Sequence, residues 1–211
     1  GCVVKTGEGD AMNAIDPSVI EDPETGKWWM HYGSYFGGLY CVELSPETGM
    51  TMQPEDHGHL IARRANYRKD NLEAPEIMYQ PELGKYYLFT SYDPLMTTYN
   101  VRVAYSDFPE GPFVDFYGED IKDTTNNVPI LTAPYRFENH PGWAGTAHCG
   151  LIDAGDGRYF MAHQGRLSPQ NQLMDLHVRE VFFTVNGWPV VSPERYAGTC
   201  LLYTSPSPRD T

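Results

Sequence analysis

Several things are missing from this sequence, and each absence closes off a class of protein. No apolar run approaches the roughly 18 residues that a membrane-spanning helix needs. The four cysteines (Cys2, Cys41, Cys149 and Cys200) have no metal-type spacing and are too few for a disulfide framework. A Cys2–Cys41 bridge is open on sequence grounds, but free buried thiols are the expected state. Basic residues are scarce: 15 Lys and Arg stand against 28 Asp and Glu, a net charge of −13. That balance argues against a nucleic-acid backbone or an anionic membrane as partner. The start, Gly1-Cys2-Val3-Val4-Lys5, has neither an initiator Met nor an apolar leader. A mature protein, a trimmed exported protein or an internal piece would all begin this way.

What is abundant is turn and aromatic residues. With 20 Gly, 17 Pro and 13% aromatics, the composition predicts many short strands joined by turns in an all-β chain. Three segments share one pattern of apolar strand, turn ending in Gly plus a basic residue, and aromatic pair. The first runs from Asp16-Pro17-Ser18-Val19-Ile20 to Gly26-Lys27-Trp28-Trp29-Met30. The second runs from Ala74-Pro75-Glu76-Ile77-Met78 to Gly84-Lys85-Tyr86-Tyr87-Leu88, and the third from His148-Cys149-Gly150-Leu151-Ile152 to Gly157-Arg158-Tyr159-Phe160-Met161. A further strand is expected after each hairpin, over Gly38 to Leu44, Tyr99 to Tyr105 and Leu176 to Val185. Antiparallel sheets repeated at this long period predict blades of a β-propeller, about three of them, with a β-sandwich as the rival arrangement. Since propellers need at least about four blades, the chain reads as incomplete. Residues 1–198 are taken as a partial propeller domain. Residues 199–211 continue no strand pattern and are taken as a non-native or disordered tail.

In a propeller the first strand of each blade lines the central channel. Asp16 opens the first repeat, Glu73 immediately precedes Ala74-Pro75 of the second, and His148 opens the third. Burying such groups beside apolar strands costs several kcal/mol unless they line a wet cavity. Each alone reads as a strand-start cap; together they predict an axial site. Two carboxylates across a cleft are what acetal hydrolysis needs, one protonated for the leaving oxygen and one ionised. A central His with acidic neighbours is equally able to hold a metal.

The motifs Asn13-Ala14-Ile15-Asp16-Pro17, Tyr32-Gly33-Ser34-Tyr35-Phe36-Gly37-Gly38 and Leu72-Glu73-Ala74-Pro75, in this order, resemble glycoside hydrolase family 43. So do Tyr99-Asn100-Val101-Arg102-Val103, Glu110-Gly111-Pro112-Phe113, His148 and its neighbours, and Gly187-Trp188-Pro189-Val190-Val191. Within the family the chain looks most like the endo-acting α-1,5-L-arabinanases; an exo-acting α-L-arabinofuranosidase or β-xylosidase of the same fold and a non-catalytic glycan-binding propeller are the alternatives. The resemblance covers residues 9 to 198. It implies a five-bladed propeller, an inverting mechanism, and a neutral plant polysaccharide such as arabinan as partner, with a secreted or periplasmic location. It also implies Glu73 as general acid, Asp16 as the residue that orients that acid and modulates its pKa, and His148 beside a largely water-held calcium ion. The family's general base matches nothing here; Asp10, in a Gly-rich stretch, is not promoted, and the 211 residues alone are expected to be inactive. Thr146-Ala147-His148-Cys149 departs from the Gly-His-Asn type of turn usual in the family.

Other candidates carry less weight. Ser34, Phe36 and Arg102 are assigned to substrate binding, with Arg179, Tyr35 and Trp143 behind them; outer-strand salt bridges and packing between blades are the rival uses. His140 reads as structural or exposed. Glu76 is the chemical rival to Glu73, set aside because a residue three positions along a strand faces the other side. Lys27, Lys85 and Arg158 read as hairpin-end charges.

Overall fold

The structure, a computed structural model, describes residues 1–64, 71–123, 128–170 and 172–198. The expected tail over 199–211 lies outside the described residues. Three antiparallel sheets follow one another along the chain. The first contains β1 (Ser18–Glu21), β2 (Trp28–Tyr32), β3 (Leu39–Leu44) and β4 (His59–Ala62) in sequential order. The second contains β5 (Leu72–Gln80), β6 (Lys85–Tyr92) and β7 (Asn100–Ser106). A short 3-10 turn over Ile121–Asp123 follows. The third sheet is built on β10 (Tyr159–Leu167) and β11 (Met174–Phe183). β12 (Pro189–Val191) flanks β11, while β8 (Trp143–Ala144) and β9 (Gly150–Asp153) share the other edge of β10.

The hairpin repeat is reproduced residue by residue. Glu21 pairs with Trp28, Tyr79 with Tyr86, and Asp153 with Tyr159, so the leading aromatics occupy equivalent rungs. The basic residues after the turn glycines end in surface ion pairs, Lys27 with Glu43, Lys85 with Asp107, and Arg158 with Asp156. The fourth strand β4 and the short β8 and β12 were not expected, because segments of two to four residues carry too little periodicity to register.

The sheets stack face to face. Strand β6 is apolar on both sides because both are covered. Its residues Tyr86, Leu88 and Tyr92 join Leu39, Cys41 and Ile61 in a core between the first and second sheets. The alternate residues Tyr87 and Phe89 join Val101, Val103, Met161 and Val181 in a core between the second and third. The two ends of this stack differ: the outer face of the first sheet, Met30, Tyr32, Val42 and Leu44, is covered by Val3, Val4 and Met12, whereas Ile152, Leu176 and Phe182 on the third sheet are exposed. Cys2, Cys41 and Cys149 are free, and Cys41 and Cys149 are buried as expected. No helix among the described residues is long and apolar enough to cross a membrane.

Candidate active site

The equivalence of strand starts is written in the backbone. Asp16, Ala74 and His148 each stand five residues before the rung that carries the first aromatic, and all three adopt left-handed φ, at 56°, 52° and 57°. That conformation is costly for a residue with a Cβ, and its repetition marks one constrained position used three times. Ala74 therefore corresponds to Asp16 and His148, as the repeat pattern has it. Glu73 reaches the same region from one residue earlier, at a bulge where the β5–β6 register shifts between Glu73 and Glu76. The extra residue also undoes the simple alternation argument. Glu73 pairs with Ser91 and Glu76 with Phe89, two residues on one side of β6, so strand parity does not separate the two glutamates. Their partners do: Glu76 Oε1 accepts the Leu151 N–H at 3.1 Å, toward the third sheet.

Glu73 is gripped by two hydroxyls. Ser34 Oγ donates to Oε2 at 2.8 Å, and Tyr99 Oη donates to Oε1 at 2.6 Å. Ser34 belongs to the first sheet's loop, and a backbone bridge ties it to Glu73 directly. The Tyr35 N–H donates to the Leu72 carbonyl at 2.8 Å across the same seam. Glycine makes this loop possible. A Cβ on Gly37, at φ +77°, would lie 1.5 Å from the Ala11 carbonyl oxygen, and one on Gly38 would meet Ala62 O at 2.3 Å.

Asp16 faces the same opening. His148 Nε2 lies 3.8 Å from Asp16 Oδ1, with the imidazole half exposed and the carboxylate mostly covered. Burial pushes the Asp16 carboxyl above its ordinary range; His148 opposes this, Glu73 adds to it, and the Ala74 N–H opposes it. Asp16, Glu73 and His148 are therefore brought together from three sheets, as the sequence predicted. Tyr99 was not foreseen. The spacing Tyr99, Val101, Val103 reads only as an apolar face; the available signal was that a buried Tyr hydroxyl needs a partner.

The binding candidates divide. Phe36 is 67% exposed on the loop beside Ser34, free to meet a ligand. Tyr35 is half-buried, and burial followed by the Glu73 charge pushes its hydroxyl up. Arg102 is not presented to the opening. It is only 6% exposed, donates to Asn100 Oδ1, Asp93 Oδ2 and the Val128 carbonyl, and lies 4.5 Å over Tyr92. Arg64 holds the other oxygen of Asp93 at 2.8 Å, so Arg102 belongs to a buried ion cluster, the alternative use weighed for it. Arg179 donates to His163 and to the Ser192 carbonyl, and Trp143 stacks on His140; both serve the third sheet. Asp10 lies in an exposed loop, its Oδ2 accepting the Gly7 N–H at 2.7 Å.

Among the described residues no three His, Cys, Asp or Glu side chains converge closely enough to hold a metal ion. One imidazole and one carboxylate fall far short of the about six to eight oxygens that calcium takes. The donor set fits only an ion that keeps most of its waters beside His148.

Residues 4–189 match the family model of glycosyl hydrolases family 43, and the chain belongs to that family. It is 31% identical to an extracellular endo-α-(1→5)-L-arabinanase 2 of Bacillus subtilis, over 90% of this chain and 44% of that protein. The endo-1,5-α-L-arabinanase of Thermotoga petrophila superposes with a TM-score of 0.84 at 29% identity, covering 93% of this chain and 50% of the other. The Cellvibrio cellulosa α-L-arabinanase complexed with arabinohexaose superposes at 0.76 and 27% identity, covering 91% of this chain and 61% of the other. The chain thus spans about half the length of these relatives.

Proposed function

We propose that this chain carries the acid side of the active site of an extracellular, inverting glycoside hydrolase that cleaves internal α-1,5-L-arabinofuranosyl linkages of arabinan. Its three sheets are read as consecutive blades of a five-bladed propeller. The exposed apolar residues Ile152, Leu176 and Phe182 on the third sheet support continuation of the blade packing at that end in the whole protein. The observation that carries the reading is Glu73, clamped by two hydroxyls beside the Asp16–His148 pair at the meeting point of three sheets.

In this reading Glu73 delivers its proton to the departing glycosidic oxygen as the bond to the anomeric carbon breaks. A water forms the new bond from the opposite face and loses its proton to a carboxylate base. That base is assigned to a part of the whole protein outside these 211 residues, so the segment alone is expected to be inactive. Asp16, near enough for the two carboxylates to feel each other, is the residue that orients the acid. Phe36 offers a ring face to a pentose at the rim, and Ser34 acts through Glu73. A hydrated calcium ion held through waters at His148 would fix solvent and charge on the axis.

Glu73→Gln, made in a protein of the relatives' full length, tests the assignment. Loss of arabinan hydrolysis is expected, and undiminished hydrolysis sinks it. Product analysis on linear arabinan tests the endo reading: a mixture of oligomers is expected, whereas arabinose alone would assign an exo-acting arabinofuranosidase.

A further inference from the structure

An aromatic groove lies between the second and third sheets, at the end of the fold that carries the hairpin turns. It encloses about 350 Å³ and is walled by Tyr87 and Tyr105 from the second sheet, Phe116 from the loop after β7, and Trp188 from the β11–β12 turn. Glu73 stands at the opposite end. Strand β6 spans the separation: Lys85 lines the groove, while Ser91, six residues on, pairs with Glu73, which puts the groove and the acid about 20 Å apart. None of the residues assigned to hydrolysis lines it.

The rings are held in place from both sides. Phe116 stands edge-on to Trp188, with centroids 5.2 Å apart, and Trp188 edge-on to Tyr105 at 6.3 Å. Behind Trp188 the Tyr87 hydroxyl donates to the Gly187 carbonyl, which ties the β11–β12 turn to β6. In front, Asp115 is fully buried, and its Oδ1 accepts the N–H groups of Tyr117 at 2.8 Å and Glu119 at 3.0 Å. That anchored turn presents Phe116 and Tyr117 outward, 53% and 69% exposed, with their rings at right angles. Two large rings left in water on so fixed a turn forgo burial that a ligand supplies.

The walls also indicate which ligand. Rings set edge to face leave flat faces for the C–H surface of a sugar, and Lys85 Nζ and the exposed Asn186 amide stand at the margin as donors to hydroxyls. Lys85, the charged residue lining the groove among those described, is already paired with Asp107 and lies 5.7 Å over Tyr105, so it is not left over for an anionic partner. The net charge of −13 repels acidic polymers. Both walls come from this chain, whereas the face open to a further blade is the other side of the third sheet, at Ile152, Leu176 and Phe182. We propose that the groove is a second, non-catalytic binding site for a stretch of neutral pentosan. The identity of that pentosan rests on the arabinan reading above; the groove shares none of its catalytic residues. A polymer held at one site stays at high effective concentration for the other, so the groove acts on polysaccharide and not on short substrates.

The experiment uses the full-length protein, with Glu73→Gln as the background for binding so that the polymer survives. Phe116→Ala/Tyr117→Ala is run by native affinity electrophoresis in gels containing linear arabinan, galacturonan or no polysaccharide. Its apparent Kd for arabinan is expected to weaken about 10-fold, with the melting temperature within a few degrees. Without the Glu73 substitution, the same pair should raise KM for polymeric arabinan by a similar factor and leave hydrolysis of an aryl α-L-arabinoside unchanged. If the double variant does not fold, Asn186→Ala at the exposed margin decides through the same loss of retention. Unchanged retention with native melting overturns the proposal. So does a loss of melting temperature without loss of retention, which puts the rest of the chain in the groove. Dissociation of a dimer in sedimentation puts a second copy there and overturns it too, and equal retention by galacturonan overturns the neutral sugar. The two readings fail separately. Protein that does not hydrolyse arabinan yet is held by it through Phe116 removes the proposed activity and keeps the groove; hydrolysis with retention blind to Phe116 does the reverse.

Discussion

Two charged clusters lie close together in this fold and are built on opposite principles. Around Asp93, two guanidiniums, an amide and a tyrosine ring are buried together, and both carboxylate oxygens are taken. Burial alone would raise Asp93, but the bonds from Arg64 and Asn100, with the Arg64 and Arg102 charges, hold it below the ordinary carboxylate range. Around Glu73, two carboxylates are set near each other with only a half-exposed imidazole to offset them, and burial leaves Asp16 raised. The first arrangement neutralises charge and locks strands together. The second keeps charge under-compensated at an opening, which is how a proton donor and its modulator are made. Burial of an ionisable residue thus says little until its partners are counted, and Arg102 shows this: it reads as a ligand for sugar by motif and is a structural ion by geometry.

Exchanging the roles of the two clusters by mutation gives the sharpest contrast. Glu73→Gln should reduce arabinan hydrolysis by about 10²–10⁴-fold while leaving the melting temperature within a few degrees, checked by reducing-sugar release and calorimetry. A large loss of stability would erase the distinction. Asp93→Ala should do the reverse, destabilising by about 3–5 kcal/mol in urea titration, because it removes the one carboxylate that both buried guanidiniums share. A variant with unchanged stability would show that Asp93 is not the keystone of its cluster.

Acid should find the structural interior before the site. Burial first lowers His31 to about 4, His163 to about 4 and His177 to about 3. Groups whose folded values lie below the unfolded value near 6.5 stabilise the protein above that value, and the contribution is lost as pH falls toward 4. Unfolding at pH 5 should therefore need clearly less urea than at pH 7, with each buried His contributing up to about 2 kcal/mol of the difference. Asp93, lowered likewise, adds its loss only below pH 4. Equal midpoints at pH 7 and 5 would mean that these rings do not stay buried and neutral. The smallest effect expected is that of a chelator on the full-length protein: a fall of a few degrees in melting temperature if a hydrated calcium sits at His148, and none if it does not.

The sequence made the hairpins legible because a turn ending in Gly and a following aromatic pair are local signals, and the rungs Glu21–Trp28, Tyr79–Tyr86 and Asp153–Tyr159 fall in register with them. Asp16, Glu73 and His148 were legible because each is polar where an apolar strand begins. Less was legible wherever a side chain's meaning depends on another sheet. The bulge at Ala74-Pro75 offsets Glu73 from the equivalent position, and nothing in the motif announces an extra residue. Tyr99, one residue ahead of β7, looks like filler until Glu73 arrives from β5. The fourth strand His59–Ala62 is too short to carry a period of its own.

The bridge between Ser34 and Glu73 has a further consequence. The proposed acid is not only held by the seam between the first and second sheets; its own main chain is part of that seam. Breathing of the two sheets apart, however brief, would carry Glu73 away from its position, so the lifetime of the competent geometry is set by the opening rate of this one contact. The amide of Tyr35, which donates across the same seam to Leu72, is its natural clock, and deuterium exchange at that single proton would time the readiness of the acid.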